Sequence, residues 1–231
     1  LPISFIMIIG KGLIASQFLE HDREDVVFFA SGVSNSSEQD KQQFKRELDL
    51  VLETIAQYPT QLLVYFSTCS IYDSSKYNSP YVLHKLHIEE VIKQNTANYL
   101  ILRISNAVGI GGNPNLLMNY LYRQIITNQQ LNVHQHATRN LIDVEDVKDI
   151  TLQYIQSNRW NRIVNVAYAE NYFIPEIVEA FEEILQKPAM KLMENKGEHY
   201  SIDIHELQYQ FSIQDKEAYL NNLIKKYYVR D

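Results

Sequence analysis

Length, composition and charge narrow the function classes first. The chain has 231 residues, 45% of them hydrophobic, which is ample for one large α/β domain and short for two full ones. A net charge of −7 without a basic tract argues against nucleic-acid and anionic-membrane partners. No apolar run reaches the roughly 18 residues of a membrane span, and the single cysteine excludes an internal disulfide, so a cytoplasmic location is expected.

The chain opens on an apolar segment followed by closely spaced glycines. Ile3–Ile9 is typical of a buried strand rather than of a signal peptide, and an apolar helix through Phe18 and Leu19 follows the glycines. The intervening Gly-x-Gly-x-x-Ala pattern lets bare backbone approach a pyrophosphate at a helix amino terminus. A turn that only packs the helix onto the sheet is the alternative. We predict a dinucleotide-binding loop formed by Gly10, Lys11, Gly12, Leu13 and Ile14.

The next strand, Val26–Phe29, is not followed by the expected acidic residue. A dinucleotide unit usually places that acid about 20 residues after the glycines, at the end of its second strand. Here His21–Asp25 contains acids but precedes the strand. One helix, from about Glu38 to Tyr58, then leads directly to the next strand; its predicted buried side chains are Phe44, Leu48, Val51, Leu52 and Ile55. The predicted sheet therefore lacks the two strands that ordinarily surround adenosine.

Candidate catalytic residues lie at the third strand and the helix after it. The buried strand Leu62–Ser67 leads into Thr68, at the carboxyl end. Tyr-x-x-x-Lys occurs at 72–76, in a predicted loop, and at 81–85. Ser79 suits an N-cap and Pro80 the first helical position, which places Tyr81 in the first turn of a helix. Its partner on the same face, one turn later, is Lys85.

These side chains suit proton transfer to a carbonyl during hydride exchange. Free tyrosine ionises near pH 10, about three units too high for a base at neutral pH, and a nearby ammonium stabilises the phenolate. Thr68 is predicted to hydrogen-bond the reacting oxygen, with Ser67 as a nearby substitute. We therefore predict Thr68, Tyr81 and Lys85 as catalytic residues. A surface tyrosine above a solvated lysine is the alternative.

The remaining segments alternate helices with short strands. Helices are predicted over Leu116–Ile126, Val144–Ile155, from Pro175 to Leu185, and over Ala218–Tyr228, with strands at Ile163–Ala167 and Ala189–Met193. The apolar stripe of the last helix is predicted to be core rather than an interface, and homodimerisation is left open. Three histidine pairs lack a third ligand in register, so no metal is predicted; His84 is instead placed at the mouth of the active site, where it would contact substrate.

The chain resembles the extended short-chain dehydrogenase/reductases, specifically the nucleotide-sugar epimerase/dehydratase/reductase group, over roughly residues 3–185. Five segments carry the resemblance in the family's order: residues 26–32, 66–72, 79–89, 102–109 and 139–146. Residues 26–32 are similar to the family's fourth strand, although they also allow a second-strand interpretation. The connection from Tyr72 to Tyr81 is short for this family.

The resemblance implies a Rossmann-like fold with a shortened, mainly parallel sheet and helices on both faces. It also implies a single domain, 1–231, in which roughly 110–145 and 170–231 form a small carboxyl-terminal substrate lobe. NAD or NADP would be the cofactor, and Ala107, Ser67, Tyr81 and Lys85 would contact it, with Ala30, Ser31 and Gly32 passing beneath it. Asn106 and Arg139 would meet the substrate.

The expected function is that of an NAD(P)-dependent epimerase or 4-keto reductase acting on a nucleotide-activated sugar in polysaccharide precursor synthesis. Two alternatives stand beside it. One is a non-catalytic nucleotide-binding or scaffolding protein that has lost the adenosine pocket. The other is a reductase of a non-sugar carbonyl compound.

Overall fold

Strands and helices alternate along the chain, and the computed structural model describes residues 7–229. The predicted strand residues Ile3 to Ile6 lie outside this range. In chain order the strands are β1 (Ile8–Ile9), β2 (Val26–Phe29), β3 (Leu62–Thr68), β4 (Tyr99–Ile104), β5 (Asn106–Val108), β6 (Gln130–His134), β7 (Thr138–Arg139), β8 (Leu141–Asp143), β9 (Arg162–Val166), β10 (Tyr172–Phe173) and β11 (Met190–Glu194). The α-helices are α1 (Lys41–Gln57), α2 (Pro80–Asn95), α3 (Leu117–Ile126), α4 (Val144–Gln156), α5 (Ile174–Leu185) and α6 (Lys216–Tyr228).

The main sheet is parallel, with the strand order β1-β2-β3-β4-β9. In the usual dinucleotide-binding order, 3-2-1-4-5-6, the second and fourth strands flank the first on opposite sides. Here β2 lies between β1 and β3, and β4 and β9 continue beyond β3, so all later strands of the main sheet stand on one side of β1. A second strand would be followed on its own side by one further strand only, with the fourth on the opposite side of the first. Val26–Phe29 therefore occupies the fourth-strand position, and the second-strand alternative is wrong. Among residues 7–229 no strand pairs with the other edge of β1, as the shortened sheet requires.

Side chains of the strands alternate between two apolar layers. Val26 and Phe28 belong to one hydrophobic cluster, whereas Val27 and Phe29 belong to the other, because successive strand residues point to opposite faces. Helices α1 and α2 cover the second face. Helix α4 and the carboxyl-terminal elements cover the first face. The predicted α/β architecture with helices on both faces is confirmed.

Three predicted helices differ from the structure in detail. The segment after the glycines is a 3-10 helix, Ala15–His21, in which Phe18 is buried but Leu19 is 67% exposed. Leu52 of α1 and Leu83 of α2 also face outward, 42% and 52% exposed. The apolar faces of α1 and α2 are narrower than the sequence pattern indicates, since both helices bury polar residues on their inner sides, among them Glu47 of α1 and Glu89 of α2.

The carboxyl-terminal part adds short strand pairs and helices beside the main sheet. β6 pairs in parallel with β11, β7 pairs antiparallel with β10, and β5 pairs with β8. Helix α6 packs against α5 and buries Leu220, Leu223 and Ile224. The prediction that this stripe is core is confirmed.

Candidate active site

A large cleft lies at the carboxyl edge of the parallel sheet, where open α/β sheets bind ligands. Its volume is about 1180 Å³. Two predicted site residues, Gly10 and His84, are not part of its lining. The lining contains the other fourteen predicted site residues: Lys11, Gly12, Leu13, Ile14, Ala30, Ser31, Gly32, Ser67, Thr68, Tyr81, Lys85, Asn106, Ala107 and Arg139.

The glycine loop forms one wall of this cleft. Gly10 has φ +131°, and a Cβ atom there would lie 2.4 Å from the carbonyl oxygen of Ala30. Only glycine tolerates both conditions. Gly12 has no heavy atom within 4 Å of the corresponding position. Gly10 therefore holds the loop against β2, while Gly12 presents bare backbone to the cleft, as a bound pyrophosphate requires.

Thr68 and Tyr81 reach the cleft from different elements. Thr68 ends β3, and its hydroxyl accepts a hydrogen bond from the Ser70 amide at 3.0 Å, which orients the side chain. Tyr81 lies in the first turn of α2, where the Ser79 hydroxyl accepts from the Val82 amide at 3.2 Å. This confirms the predicted N-cap. Thr68 and Tyr81 are only 5% and 6% exposed, so their hydroxyls act in a largely water-excluded setting.

Lys85 is held by a buried hydrogen-bond network. Its ammonium donates to Glu47 Oε1 at 2.9 Å and to the hydroxyl of Tyr65 at 3.0 Å. Burial acts to raise the pKa of Glu47, but the charge of Lys85 and the hydrogen bonds from His84, Tyr65 and Val33 outweigh it and hold this pKa well below its ordinary value. Burial and the neighbouring Glu47 raise the pKa of Tyr65 well above its usual range. Glu47 is therefore an anion, and Tyr65 is neutral.

The structure places His84 away from its predicted position. Its Nε2 atom lies 3.0 Å from Glu47 Oε2, and its ring stacks on Phe44 at a centroid distance of 4.7 Å. The side chain therefore points between α1 and α2 rather than into the cleft. The three-residue spacing from Tyr81 turns His84 toward α1, which is why the expected substrate contact is not supported.

A second buried network fixes the neighbouring strand residue. The Ser67 hydroxyl donates to Glu89 Oε1 at 2.6 Å. Arg103 donates to both carboxylate oxygens of Glu89, at 2.9 and 2.6 Å. Because its proton is committed to Glu89, Ser67 is a poor substitute for Thr68. Glu47 and Glu89 were both missed by sequence reasoning, although each is a carboxylate in the middle of an apolar helix face.

Basic side chains face the cleft on the side of Arg139. The Arg139 guanidinium lies 3.9 Å from the carboxylate of Asp73, and Lys76 donates to the hydroxyl of Ser36 at 2.5 Å. Burial and the charge of Arg139 lower the pKa of Lys76. Burial raises the pKa of the nearby Tyr200 to about 12. Lys76 was set aside in the sequence because its Tyr-x-x-x-Lys match, 72–76, lies in a predicted loop, and Tyr200 was not singled out.

The loop after β2 and helix α1 also contribute to the lining of the cleft. Arg46 donates to the backbone carbonyl of Ser31 at 3.0 Å, and Lys11 lines the cleft as well. The lining of the cleft therefore includes two further cations, Lys11 and Arg46.

Two further properties concern residues 7–229 only. No helix in this range is both long and apolar enough to cross a membrane. No three side chains of the kinds that commonly ligate metals come together in it.

Comparison with solved structures shows the same fold in nucleotide-sugar enzymes. UDP-glucuronic acid 4-epimerase from Bacillus cereus, in complex with NAD, is 21% identical, with a TM-score of 0.67 over 90% of this chain and 77% of that one. RMD from Pseudomonas aeruginosa, complexed with NADPH, is 18% identical, with a TM-score of 0.69 over 87% and 79%. dTDP-glucose 4,6-dehydratase from Bacillus anthracis, in complex with NAD, is 17% identical, with a TM-score of 0.68 over 91% and 74%.

Sequence comparison gives the family. No curated protein matches this chain. The family model for NAD dependent epimerases and dehydratases, in contrast, matches residues 12–167, which run from the glycine loop to the end of the main sheet. The chain belongs to the NAD-dependent epimerase/dehydratase family.

Proposed function

We propose that this protein is an NAD(P)-dependent epimerase or 4-keto reductase that acts on a nucleotide-activated sugar in polysaccharide precursor synthesis. The observation that carries the proposal is that Thr68, Tyr81 and Lys85 line the same cleft as the bare backbone of Gly12. A dinucleotide loop and a proton-transfer group therefore face one ligand volume. The family and the solved relatives support the same chemistry.

The residues of the cleft fit a dinucleotide. The open position at Gly12 suits a pyrophosphate, and Ala30, Ser31 and Gly32 are small enough to pass beneath the cofactor. Ala107 lines the same cleft. A bound nicotinamide would supply the hydride acceptor or donor. The protein's own contribution is position, exclusion of water and a proton.

Tyr81 is the proposed general acid and base at the reacting oxygen of the sugar. Thr68 donates a hydrogen bond to the same oxygen, since its hydroxyl accepts from the Ser70 amide and keeps its own proton for donation. Lys85 contributes a positive charge that stabilises the phenolate form of Tyr81. Burial of all three side chains strengthens these interactions, because the local dielectric constant is lower than that of water.

The basic groups on the other side of the cleft support a diphosphate-bearing substrate. Arg139 is the proposed contact to the nucleotide diphosphate, and Lys76 adds a second cation nearby. Asn106, whose side chain is anchored by the Asn140 carbonyl at 2.7 Å, is the proposed contact to the sugar. Residues of roughly 110–145 and 170–231 are proposed to form the substrate lobe.

One observation favours a second candidate, a non-catalytic nucleotide-binding protein. The main sheet ends at β1, so the usual adenosine-binding strands are missing from residues 7–229. The retained side chains of the cleft argue against this candidate, because a binding protein has no need of a buried tyrosine and lysine aimed at its ligand. A reductase of a non-sugar carbonyl compound would use the same three residues but not Arg139.

Cofactor binding followed by turnover tests the proposal. We expect NADH or NADPH to bind the purified protein with micromolar affinity, measured by nicotinamide fluorescence. Tyr81→Phe is expected to lower kcat by about 10²–10⁴-fold on a nucleotide-sugar substrate, with the cofactor Kd unchanged. Tyr77→Phe is the matched control, since Tyr77 is 65% exposed and lies outside the cleft. Substantial turnover in Tyr81→Phe would contradict the proposed role, and absence of binding at millimolar cofactor would favour the non-catalytic candidate.

A further inference from the structure

Glu47 is a carboxylate placed where the sequence pattern calls for an apolar residue. It lies on α1 between Phe44 and Val51, on the face that packs toward the sheet, and its side chain is 0% exposed. A carboxylate loses its hydration on burial, and that loss is unfavourable unless charged or hydrogen-bonding partners replace the water. Glu47 is therefore expected to have a specific partner.

Each carboxylate oxygen has two neighbours. Oε1 accepts from the ammonium of Lys85 at 2.9 Å and from the hydroxyl of Tyr65 at 2.6 Å. Oε2 accepts from the backbone amide of Val33 at 2.7 Å and lies 3.0 Å from Nε2 of His84. The carboxylate thus connects α1 to β3, to α2 and to the loop after β2.

Among residues 7–229, Glu47 is the only carboxylate paired directly with Lys85. The Lys85 side chain is 3% exposed. Tyr65, its other partner, stays neutral because burial and the adjacent Glu47 raise its pKa. Glu89, on the next turn of α2, is paired with Arg103 instead.

The geometry also leaves one donor of Lys85 for the cleft. An ammonium has three N–H donors, and two of them go to Glu47 and Tyr65. The third is free to point toward the cleft that Lys85 shares with Tyr81. The direction of that donor is fixed by the two bonds behind it.

The absence of a side chain at Gly32 makes room for this arrangement. A Cβ atom there would lie 2.5 Å from Nζ of Lys85 and 2.7 Å from Oε1 of Glu47. The ion pair therefore packs directly against the backbone of the loop that is proposed to pass beneath the cofactor. The same loop donates the Val33 amide to Glu47.

We propose that Glu47 is a positioning residue for the reaction, which acts through Lys85. It pairs with the buried ammonium and aims its remaining N–H donor into the cleft. The role of Glu47 in the reaction rests on the proposed function. The ion pair itself is independent of the substrate.

A double-mutant cycle tests the ion pair between Glu47 and Lys85 and requires no measurement of enzyme activity. We expect Glu47→Gln and Lys85→Met each to raise the equilibrium constant of unfolding, because each leaves one buried charge unpaired. In the double variant the fold-increase of this constant should be at least tenfold smaller than the product of the two single fold-increases. Urea unfolding at neutral pH measures all four proteins. Multiplicative effects would overturn the inference.

Kinetics then test the positioning role. Glu47→Gln is expected to lower kcat at least tenfold with KM changed less than threefold, because the ammonium of Lys85 then loses the carboxylate that directs its third donor. Glu47→Asp, which keeps the charge, should recover part of kcat. Glu53→Gln, on the exposed side of the same helix, is the control and should behave as the wild type.

The outcomes separate this inference from the proposed function. A wild-type kcat in Glu47→Gln would overturn the positioning role while leaving the proposed function intact. Glu47→Asp as impaired as Glu47→Gln would do the same, because charge would then not be what matters. Strong coupling in a protein that turns over no nucleotide sugar would overturn the proposed function and leave the ion pair established.

Discussion

Alanine substitutions at Gly10 and Gly12 are predicted to have different effects, the first on stability and the second on cofactor binding. A Cβ atom added at Gly10 would clash with the backbone of Ala30, whereas a Cβ atom added at Gly12 would have no heavy atom within 4 Å. Alanine at Gly10 must place its Cβ against a carbonyl group of the protein. Alanine at Gly12 places its Cβ in the space that a cofactor would fill. The same substitution two residues apart should therefore have two different consequences.

The magnitudes follow from the local geometry. At Gly10, φ of +131° and a Cβ 2.4 Å from the Ala30 oxygen add backbone strain to a steric clash. Strain of this kind costs about 1–3 kcal/mol, and overpacking costs about as much again. The sum of about 2–6 kcal/mol corresponds to a Tm lowered by at least about 4 °C in a chain of this size. At Gly12 the stability change should stay within about 0.5 kcal/mol.

Thermal unfolding and cofactor titration of both variants check the reasoning. Gly10→Ala should lose stability. Gly12→Ala should keep the wild-type Tm but raise the Kd of NADH or NADPH at least about tenfold, which is about 1.4 kcal/mol. If Gly12→Ala bound the cofactor as the wild type does, the loop would not carry the pyrophosphate. If Gly10→Ala kept the wild-type Tm, the close approach to Ala30 would not constrain the fold.

Two further predictions concern buried titratable groups. The pKa of Glu47 lies well below its ordinary value of 4.5, because the Lys85 charge and the hydrogen bonds outweigh burial. A carboxyl with a depressed folded pKa stabilises the protein above its unfolded pKa and loses that stabilisation as pH falls toward the folded value. The difference in unfolding free energy between wild type and Glu47→Gln, measured by urea unfolding, should therefore shrink from about pH 7 to about pH 3.5; a constant difference would argue against an ionised Glu47. Burial raises the pKa of the Cys69 thiol to about 12. Cys69 should resist a thiol reagent at about pH 8 in the native protein and react fully in urea, and rapid native-state reaction would show that the thiol is accessible.

Local signals in the sequence were enough for the order of elements and for most of the cleft. The strand ending at Thr68, the Ser79-Pro80 helix start and the Gly-x-Gly turn each depend on neighbouring residues alone. Parallel strands bring their carboxyl ends to one edge of the sheet. Residues that follow different strands therefore meet there, and most of the predicted site residues line one cleft.

The tertiary structure alone decided which charges lie next to one another. Helical periodicity places Glu47 on the apolar face of α1, but nothing local to α1 indicates that Lys85, 38 residues away, is its partner. His84 was misplaced for the same reason, since its direction depends on how α1 packs against α2. A buried charge is tolerated only where a partner from another element meets it. Pairings of this kind depend on the packing of distant segments, whereas each helix, strand or turn is determined largely by the residues within it.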